Sequence, residues 1–281
     1  MSAQRTSETD KAMQWGSRRG EAWVEAQALV DRLFRPFEQQ LADEVAAVAA
    51  RRVLDVGCGT GSTTIAIARR LPAGGHGVGV DISEPMIAAA RARAERERVP
   101  ATFVRADAQA YAFEPSSFDA IVSRFGVMFF DDSVRAFVNL RRAAAAGAAL
   151  RTIVWRSAAD NPFMTVAERA AAPLLPNLPV RKPDEPGQFA FGDPERVRGI
   201  LERSGWSQID VEPLDVECAM PEADLVPYFT RLGPVGTALP GADAATRARV
   251  IETVRAAFEP YVRGAEVRFG AACWAVRARA Q

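Results

Sequence analysis

Histidine is nearly missing from these 281 residues, which carry one histidine and three cysteines. Cys58, Cys218 and Cys273 lie far apart, with no C-x-x-C pair and no histidine at ligand spacing, so no metal site is expected. Three reduced, buried thiols are expected instead, with a Cys218–Cys273 bridge left open. Net charge is lacking as well. Lys+Arg and Asp+Glu both number 35, which leaves no global positive field to hold a polyanion, so nucleic acid is not an expected partner. Long hydrophobic runs are absent: no stretch reaches the about 18 apolar residues of a membrane span, and Met1 to Asp10 is polar. These absences predict a cytoplasmic protein with no membrane partner; monomer and homodimer are both left open.

What is present is apolar content, 48% of the chain, enough for one sizeable core. Between 21 and 50, Trp23, Leu29, Val30, Leu33, Phe37, Leu41 and Val45 recur at helical spacing, with Pro36 as a break. Residues 1–50 therefore read as a helical N-terminal lid, and 51–281 as the main domain. Residues 52–56 (R-V-L-D-V) form a β-branched run that suits a strand buried on both faces. A helix over 60–71 follows, stopped by Pro72. Strands near 77–81, 102–105, 118–123 and 150–155 then accompany helices over 84–98 and 133–144, and the alanine-rich 143–149 reads as a helix end and turn. Strands separated by helices predict an α/β, Rossmann-like, doubly wound and mainly parallel sheet. Two covering insertions interrupt it, at about 157–190, rich in proline, and at 222–261, helical. A helix over 193–204 and a strand over 208–216 separate them, and an alternating run over 266–276 is placed to close the sheet edge.

The sharpest motif is Asp55-Val56-Gly57-Cys58-Gly59-Thr60-Gly61, where the first strand hands over to the first helix. Glycines at this place let the backbone meet a ligand, and dinucleotide enzymes use G-x-G-x-x-G there. This chain has G-x-G-x-G, with Ser62 where the last dinucleotide glycine would fall. A carboxylate at Asp55 repels a pyrophosphate and welcomes a cation. S-adenosylmethionine carries an ammonium and a sulfonium and no phosphate, so an acidic strand end suits it and suits a nicotinamide cofactor poorly. Asp81 ends the second strand, where it can accept from both ribose hydroxyls. Asp107 follows the third, placed for the adenine amino group beside Ala108, with Ile82 and Met86 to sandwich the base. Met86 as plain helix packing is the competing reading.

These residues carry a resemblance. V-L-D-V-G-C-G-T-G (53–61), G-V-D-I-S-E-P-M (79–86), A-D-A-Q (106–109) and F-D-A-I-V-S-R-F-G-V-M-F-F (118–130) are similar to class I S-adenosylmethionine-dependent methyltransferases, most closely the ubiquinone/menaquinone-biosynthesis-like branch of small-molecule enzymes. The likeness covers roughly 53–155. It implies a seven-stranded sheet ordered 3-2-1-4-5-7-6 with the seventh strand antiparallel. It also implies that Trp15, with Trp23, lies in the lid over the cofactor, and that Gly57, Cys58, Gly59, Thr60, Gly61, Ser123 and Arg124 border it. Relatives tend to have a Leu-x-Pro-Gly-Gly turn before the fifth strand; Ala144 to Ala148 replaces it here, which puts local rigidity in question.

The activated methyl needs chiefly a nucleophile held near attack distance. Arg124 is placed either to position an acceptor carboxylate, phenol or enol, or to pair structurally with Asp131 or Asp132. His76 falls at the sheet edge away from the site and is not expected as a base. Phe125, Trp155, Asn161, Phe191 and Tyr228 are expected to line a pocket for a compact, partly aromatic or acyl substrate. Binding of the cofactor without methyl transfer, as in a regulator or an enzyme of other chemistry, is the alternative, and a nicotinamide dehydrogenase a third.

Overall fold

The computed structural model describes residues 15–16, 18–178 and 185–281. Met1 to Asp10 and the first residues of the lid therefore lie outside the described residues, as do Pro179 and Pro183 of the first insertion. The described chain opens on three short helices, α1 (Arg18–Glu25), α2 (Gln27–Leu33) and α3 (Arg35–Ala47). The bend falls at Phe34, and Pro36 sits in the first turn of α3, where its missing N–H would have had no intrahelical partner. The helical run is thus broken next to Pro36, as expected, with the proline opening α3. Leu29, Leu33, Phe37 and Leu41 are buried in the same apolar cluster as Leu54, Ile121 and Leu150 of the sheet. With about 1.5–3 kcal/mol for each fully buried side chain of this size, those four suffice to hold the helices onto the core.

The alternation read from the sequence follows: β1 (Arg52–Val56), α4 (Ser62–Ala68), β2 (His76–Asp81), α5 (Glu84–Glu97), β3 (Ala101–Arg105), β4 (Phe118–Arg124), α6 (Ser133–Ala143) and β5 (Ala144–Trp155). Next come α7 (Phe163–Ala171), α8 (Pro194–Arg203), β6 (Trp206–Pro221), α9 (Leu225–Arg231), α10 (Gly233–Ala238), α11 (Ala244–Ala257), β7 (Val262–Arg263) and β8 (Glu266–Ala280). The sheet runs β3-β2-β1-β4-β5-β8-β6, and the two-residue β7 pairs only with β8. The seven long strands therefore keep the order that the resemblance implies. β8 takes the seventh place, antiparallel to both β5 and β6.

Two sequence expectations are corrected. The alanine-rich segment is a strand: α6 stops at Ala143 and β5 starts at Ala144, opposite Phe118. The next pair is Ala120 with Ala149, so a bulge containing Gly147 at φ +75° takes up the extra residues. Pairing with β4 overrides the helical preference of alanine. The run over 266–276 does not close the sheet edge. β8 lies between β5 and β6, buried on both faces for much of its length, and β6 is the edge strand, in register with β8 from Trp206 opposite Ala280 to Pro221 opposite Glu266. That full-length pairing also explains why β6 outruns the expected 208–216.

Cys58, Cys218 and Cys273 are free and buried. In the β6–β8 ladder Cys218 stands opposite Phe269 and Cys273 opposite Leu214, so the two thiols do not face each other. No helix among the described residues is long and apolar enough to cross a membrane.

Candidate active site

The end of β1 is where the sheet reverses its direction of growth, with β2 on one side and β4 on the other. Open α/β sheets leave a crevice at such a point. Gly57, Gly59 and Gly61 all have positive φ, +68°, +55° and +83°, which carries the chain out of β1 and into α4 within one tight turn. The turn is pinned to β2: Gly57 N and Cys58 N both donate to the Val80 carbonyl, at 2.8 and 3.1 Å. Gly59 N donates to Asp81 Oδ2 at 2.9 Å.

Asp81 is therefore a bridge, because its other oxygen accepts from Ser83 N at 2.9 Å. Burial raises its pKa and these backbone bonds oppose the rise. Asp55 is 1% exposed and accepts a 2.6 Å hydrogen bond from Thr64 Oγ1. Burial pushes its pKa up to about 6, against the pull of the Thr64 bond and the Arg124 charge. Asp107 Oδ1 accepts from Gln109 N at 2.9 Å, a local turn that fixes the side chain at the end of β3. Asn139 Nδ2 donates to the Ala108 carbonyl at 2.9 Å, tying this loop to α6. The structure thus brings Asp55, Asp81 and Asp107 to one edge of the sheet, as expected. Met86 is buried in the first turn of α5 with its sulfur 3.7 Å from where a Cβ on Gly59 would stand, and Ile82 is partly buried beside it in sequence.

Trp15 reaches across this crevice. Its carbonyl accepts from Ser83 Oγ at 2.7 Å, just beyond β2. Its ring lies 5.8 Å from Phe129, beyond β4, edge to face, and 6.3 Å from Trp23. The Arg19 guanidinium lies 5.0 Å from the centre of the same ring.

Other expected site residues have partners within the protein. Ser123 is fully buried; its Oγ donates to the Val56 carbonyl at 2.7 Å and accepts from Gly126 N at 3.1 Å, so it braces β1 against β4. Arg124 pairs with neither Asp131 nor Asp132. It turns toward the preface, donating to Ser62 Oγ at 2.8 Å and the Phe34 carbonyl at 3.4 Å. Cys58 is buried and its pKa raised, so it remains a thiol against the turn. His76 begins β2, at the strand end opposite Asp81, and bonds Thr102 Oγ1 at 3.1 Å.

The expected pocket residues separate. Phe125 and Trp155 stack at 4.3 Å and meet Phe34 and Phe37 edge-on, an aromatic wall at the ends of β4 and β5. Asn161 is 0% exposed and not a pocket residue: Nδ2 donates to the Ser157 and Ala272 carbonyls, and Oδ1 accepts from Ala272 N. Phe191 stacks on Phe137 in the core, which removes it from the pocket too. Tyr228 is partly buried on α9 and packs against the main core. Sequence reasoning missed Thr64 and the bond of Ser62 to Arg124. The doubled threonine after G-x-G-x-G-S was a usable signal for Thr64.

Residues 53–147 match the family described as methyltransferase domain. The demethylmenaquinone methyltransferase of Thermus thermophilus is 30% identical over 167 residues, covering 57% of this chain and 76% of that protein. The chain belongs to the class I S-adenosylmethionine-dependent methyltransferases. Its branch is that of the menaquinone- and ubiquinone-biosynthesis-like enzymes. The nocamycin O-methyltransferase of Saccharothrix syringae is 37% identical over 100 residues, covering 35% of this chain and 36% of its own. Two solved structures share the fold. One, reported with the conversion of a disulfide bond into a thioacetal group during echinomycin biosynthesis, has a TM-score of 0.56 at 20% identity and covers 86% of this chain and 80% of its own. The other, the YcgJ protein from Bacillus subtilis, has a TM-score of 0.55 at 16% identity, covering 87% and 97%.

This methyltransferase uses S-adenosylmethionine, and the site fits it. A Cβ added to Gly59 would meet only the Met86 sulfur within 4 Å, so the absent side chain leaves room over the turn. The neighbouring carboxylates of Asp55 and Asp81 suit a ligand with cationic groups and hydroxyl donors, and repel a pyrophosphate.

Proposed function

We propose that this methyltransferase acts on a small molecule, and that its cofactor lies across the ends of β1, β2 and β3. Asp81 spends one lone pair of each oxygen on backbone N–H groups, and a carboxylate has about four such sites, so two remain for the ribose hydroxyls. Asp107 and Ala108 take the adenine edge, Ile82 and Met86 its faces, and Asp55 the ammonium. Gly57, Cys58, Gly59, Thr60 and Gly61 form the floor. Trp15 closes the crevice from above, as the lid residue that shields the reacting groups from water. The observation that carries this reading is the placement of Asp55 and Asp81 at the ends of neighbouring strands beside the glycine turn, Asp81 bonded to Gly59 N and Asp55 to Thr64 Oγ1.

The bound cofactor supplies a methyl group already activated on a sulfonium. Placement is then the chain's main task, and holding two reactants in register supplies about 7–11 kcal/mol of the barrier. Phe125 and Trp155, joined by Phe34 and Phe37, give the acceptor side an aromatic wall suited to a planar, partly aromatic molecule. The relatives named for demethylmenaquinone and nocamycin support a small-molecule acceptor. Calorimetric titration with S-adenosylhomocysteine tests the reading. Wild type should bind, and Asp81→Ala should bind roughly 10- to 100-fold more weakly for the loss of charged hydrogen bonds. Wild type that does not bind overturns it. Incubating the enzyme with methyl-labelled cofactor and a cell-extract metabolite pool should label a small molecule; label recovered only in macromolecules would refute the acceptor class.

A further inference from the structure

Phe125 departs from ordinary backbone geometry on the acceptor side. Five non-glycine residues have positive φ among the described residues: Ala49, Arg98, Ser116, Phe125 and Gln208. Ala49 and Arg98 follow helices α3 and α5, Ser116 lies in the turn before β4, and Gln208 at the register shift of β6. Phe125 alone of the five stands at the carboxyl ends of the parallel strands, directly after β4, and it alone carries a ring, at φ +63°. A residue with a Cβ is disfavoured in this left-handed region, where glycine is at ease. Glycine stands next door, yet Gly126 has φ −87° and Phe125 takes the left-handed place. The backbone is held there from both sides: Phe125 N donates to the Ile153 carbonyl at 2.9 Å, and Gly126 N to Ser123 Oγ at 3.1 Å. Strain that the surrounding structure over-determines in this way is concentrated at ligand clamps and active sites.

What the conformation secures is the position of the ring. It lies nearly parallel to Trp155, at 4.3 Å and 10°, and meets Phe34 and Phe37 edge to face at 5.5 and 5.2 Å. Trp155 is 2% exposed and Phe37 0%, whereas Phe125 is half-buried. Phe125 is thus the outer leaf of a stack whose inner leaf belongs to the core. Its chain neighbours touch the glycine turn: Arg124 donates to Ser62 Oγ, directly after Gly61, and Gly126 lies against Gly57. The outer leaf therefore stands where the acceptor side meets the cofactor floor. A ring stacked on one face and partly open offers its remaining surface to another flat ring.

We infer that Phe125 determines acceptor specificity: its ring, held out by the left-handed backbone, is the platform on which a flat aromatic ring of the acceptor lies, and a puckered, saturated ring of the same skeleton binds there less well. The inference deepens the small-molecule reading given above and rests on the cofactor placement stated with it. It assigns the choice of acceptor to one residue and leaves Trp155, Phe34 and Phe37 as its backing.

Calorimetry on the full chain saturated with S-adenosylhomocysteine tests this with two probes, 2-naphthol and decahydro-2-naphthol, which share a carbon skeleton and a hydroxyl and differ in flatness. Wild type should prefer 2-naphthol roughly three- to tenfold, the worth of one aromatic pair. Phe125→Tyr should keep that preference. Phe125→Leu, apolar but without a flat face, should bring the two affinities within about twofold of each other. Phe125→Gly should do the same, with a Tm at or above that of Phe125→Ala, because glycine alone suits the backbone there. It decides the matter if Phe125→Leu does not fold. A preference undiminished in either folded variant, or absent from wild type, overturns the inference. Failure of the underlying cofactor reading looks different, because wild type would then not bind S-adenosylhomocysteine at all.

Discussion

Gly57 and Gly126 meet backbone to backbone. A Cβ on Gly57 would stand 2.6 Å from the Cα of Gly126, and one on Gly126 would stand 2.4 Å from the Val56 carbonyl oxygen. β1 and β4 leave the sheet at this point, and their closeness lets Ser123 brace both chains at once. Gly126 has φ −87°, so steric exclusion and not backbone handedness requires glycine there.

Gly126→Ala should therefore lower stability by about 1–3 kcal/mol, since backbone must move to admit one methyl group. In a chain of this size that corresponds to a Tm drop of about 2–4 °C per kcal/mol. Gly199→Ala is the contrast, in α8 with nothing within 4 Å of the added methyl, and should raise stability by up to about 1 kcal/mol. Thermal unfolding of the two variants checks the pair; equal effects would refute the packing account.

Asp55 makes stability depend on pH. Its folded pKa of about 6 exceeds the ordinary 3.8, so the folded state holds the proton more tightly. Unfolding free energy then falls as pH rises through that interval and stays lowered above it. A gap of about two units amounts to about 3 kcal/mol. Asp55→Asn should raise the Tm of the cofactor-free protein above pH 6 and change it little near pH 4. Wild-type affinity for S-adenosylhomocysteine should climb as pH passes 6, and the variant should show no such climb. A Tm difference that is the same at every pH would contradict this assignment.

Asn161 fastens the first insertion to the sheet through two hydrogen bonds to the backbone of Ala272, and a third holds it to Ser157 within the insertion. Asn161→Ala leaves buried backbone groups without partners, at about 1–3 kcal/mol each. Urea unfolding should show the loss of stability, while affinity for S-adenosylhomocysteine stays near that of wild type. A large drop in affinity with stability intact would return Asn161 to the ligand site.

Local chemistry carried much of the fold and the cofactor edge of the site. The β-branched run at 52–56, the glycine turn and the acids that follow three strands are decided by neighbours within a few residues, so alternation and motif spacing reveal them. Asp55, Asp81 and Asp107 reach one edge simply because parallel strands end on the same side. The acceptor side was less legible. Phe125 and Trp155 come together there, whereas Phe191 and Asn161 are claimed by the core.

By itself, then, the sequence determined a doubly wound α/β fold, the strand ends that bear carboxylates and the kind of cofactor they accept. Only the tertiary structure decided that the alanine-rich residues 144–149 join a strand, that β8 inserts between β5 and β6, and that Arg124 turns to Ser62 and Phe34. Each of those outcomes depends on a contact between residues distant in the chain. Periodicity encodes which face of an element is apolar, but the partner that covers it, and the direction a long charged side chain takes, are settled by competition among groups that meet only after the sheet has formed.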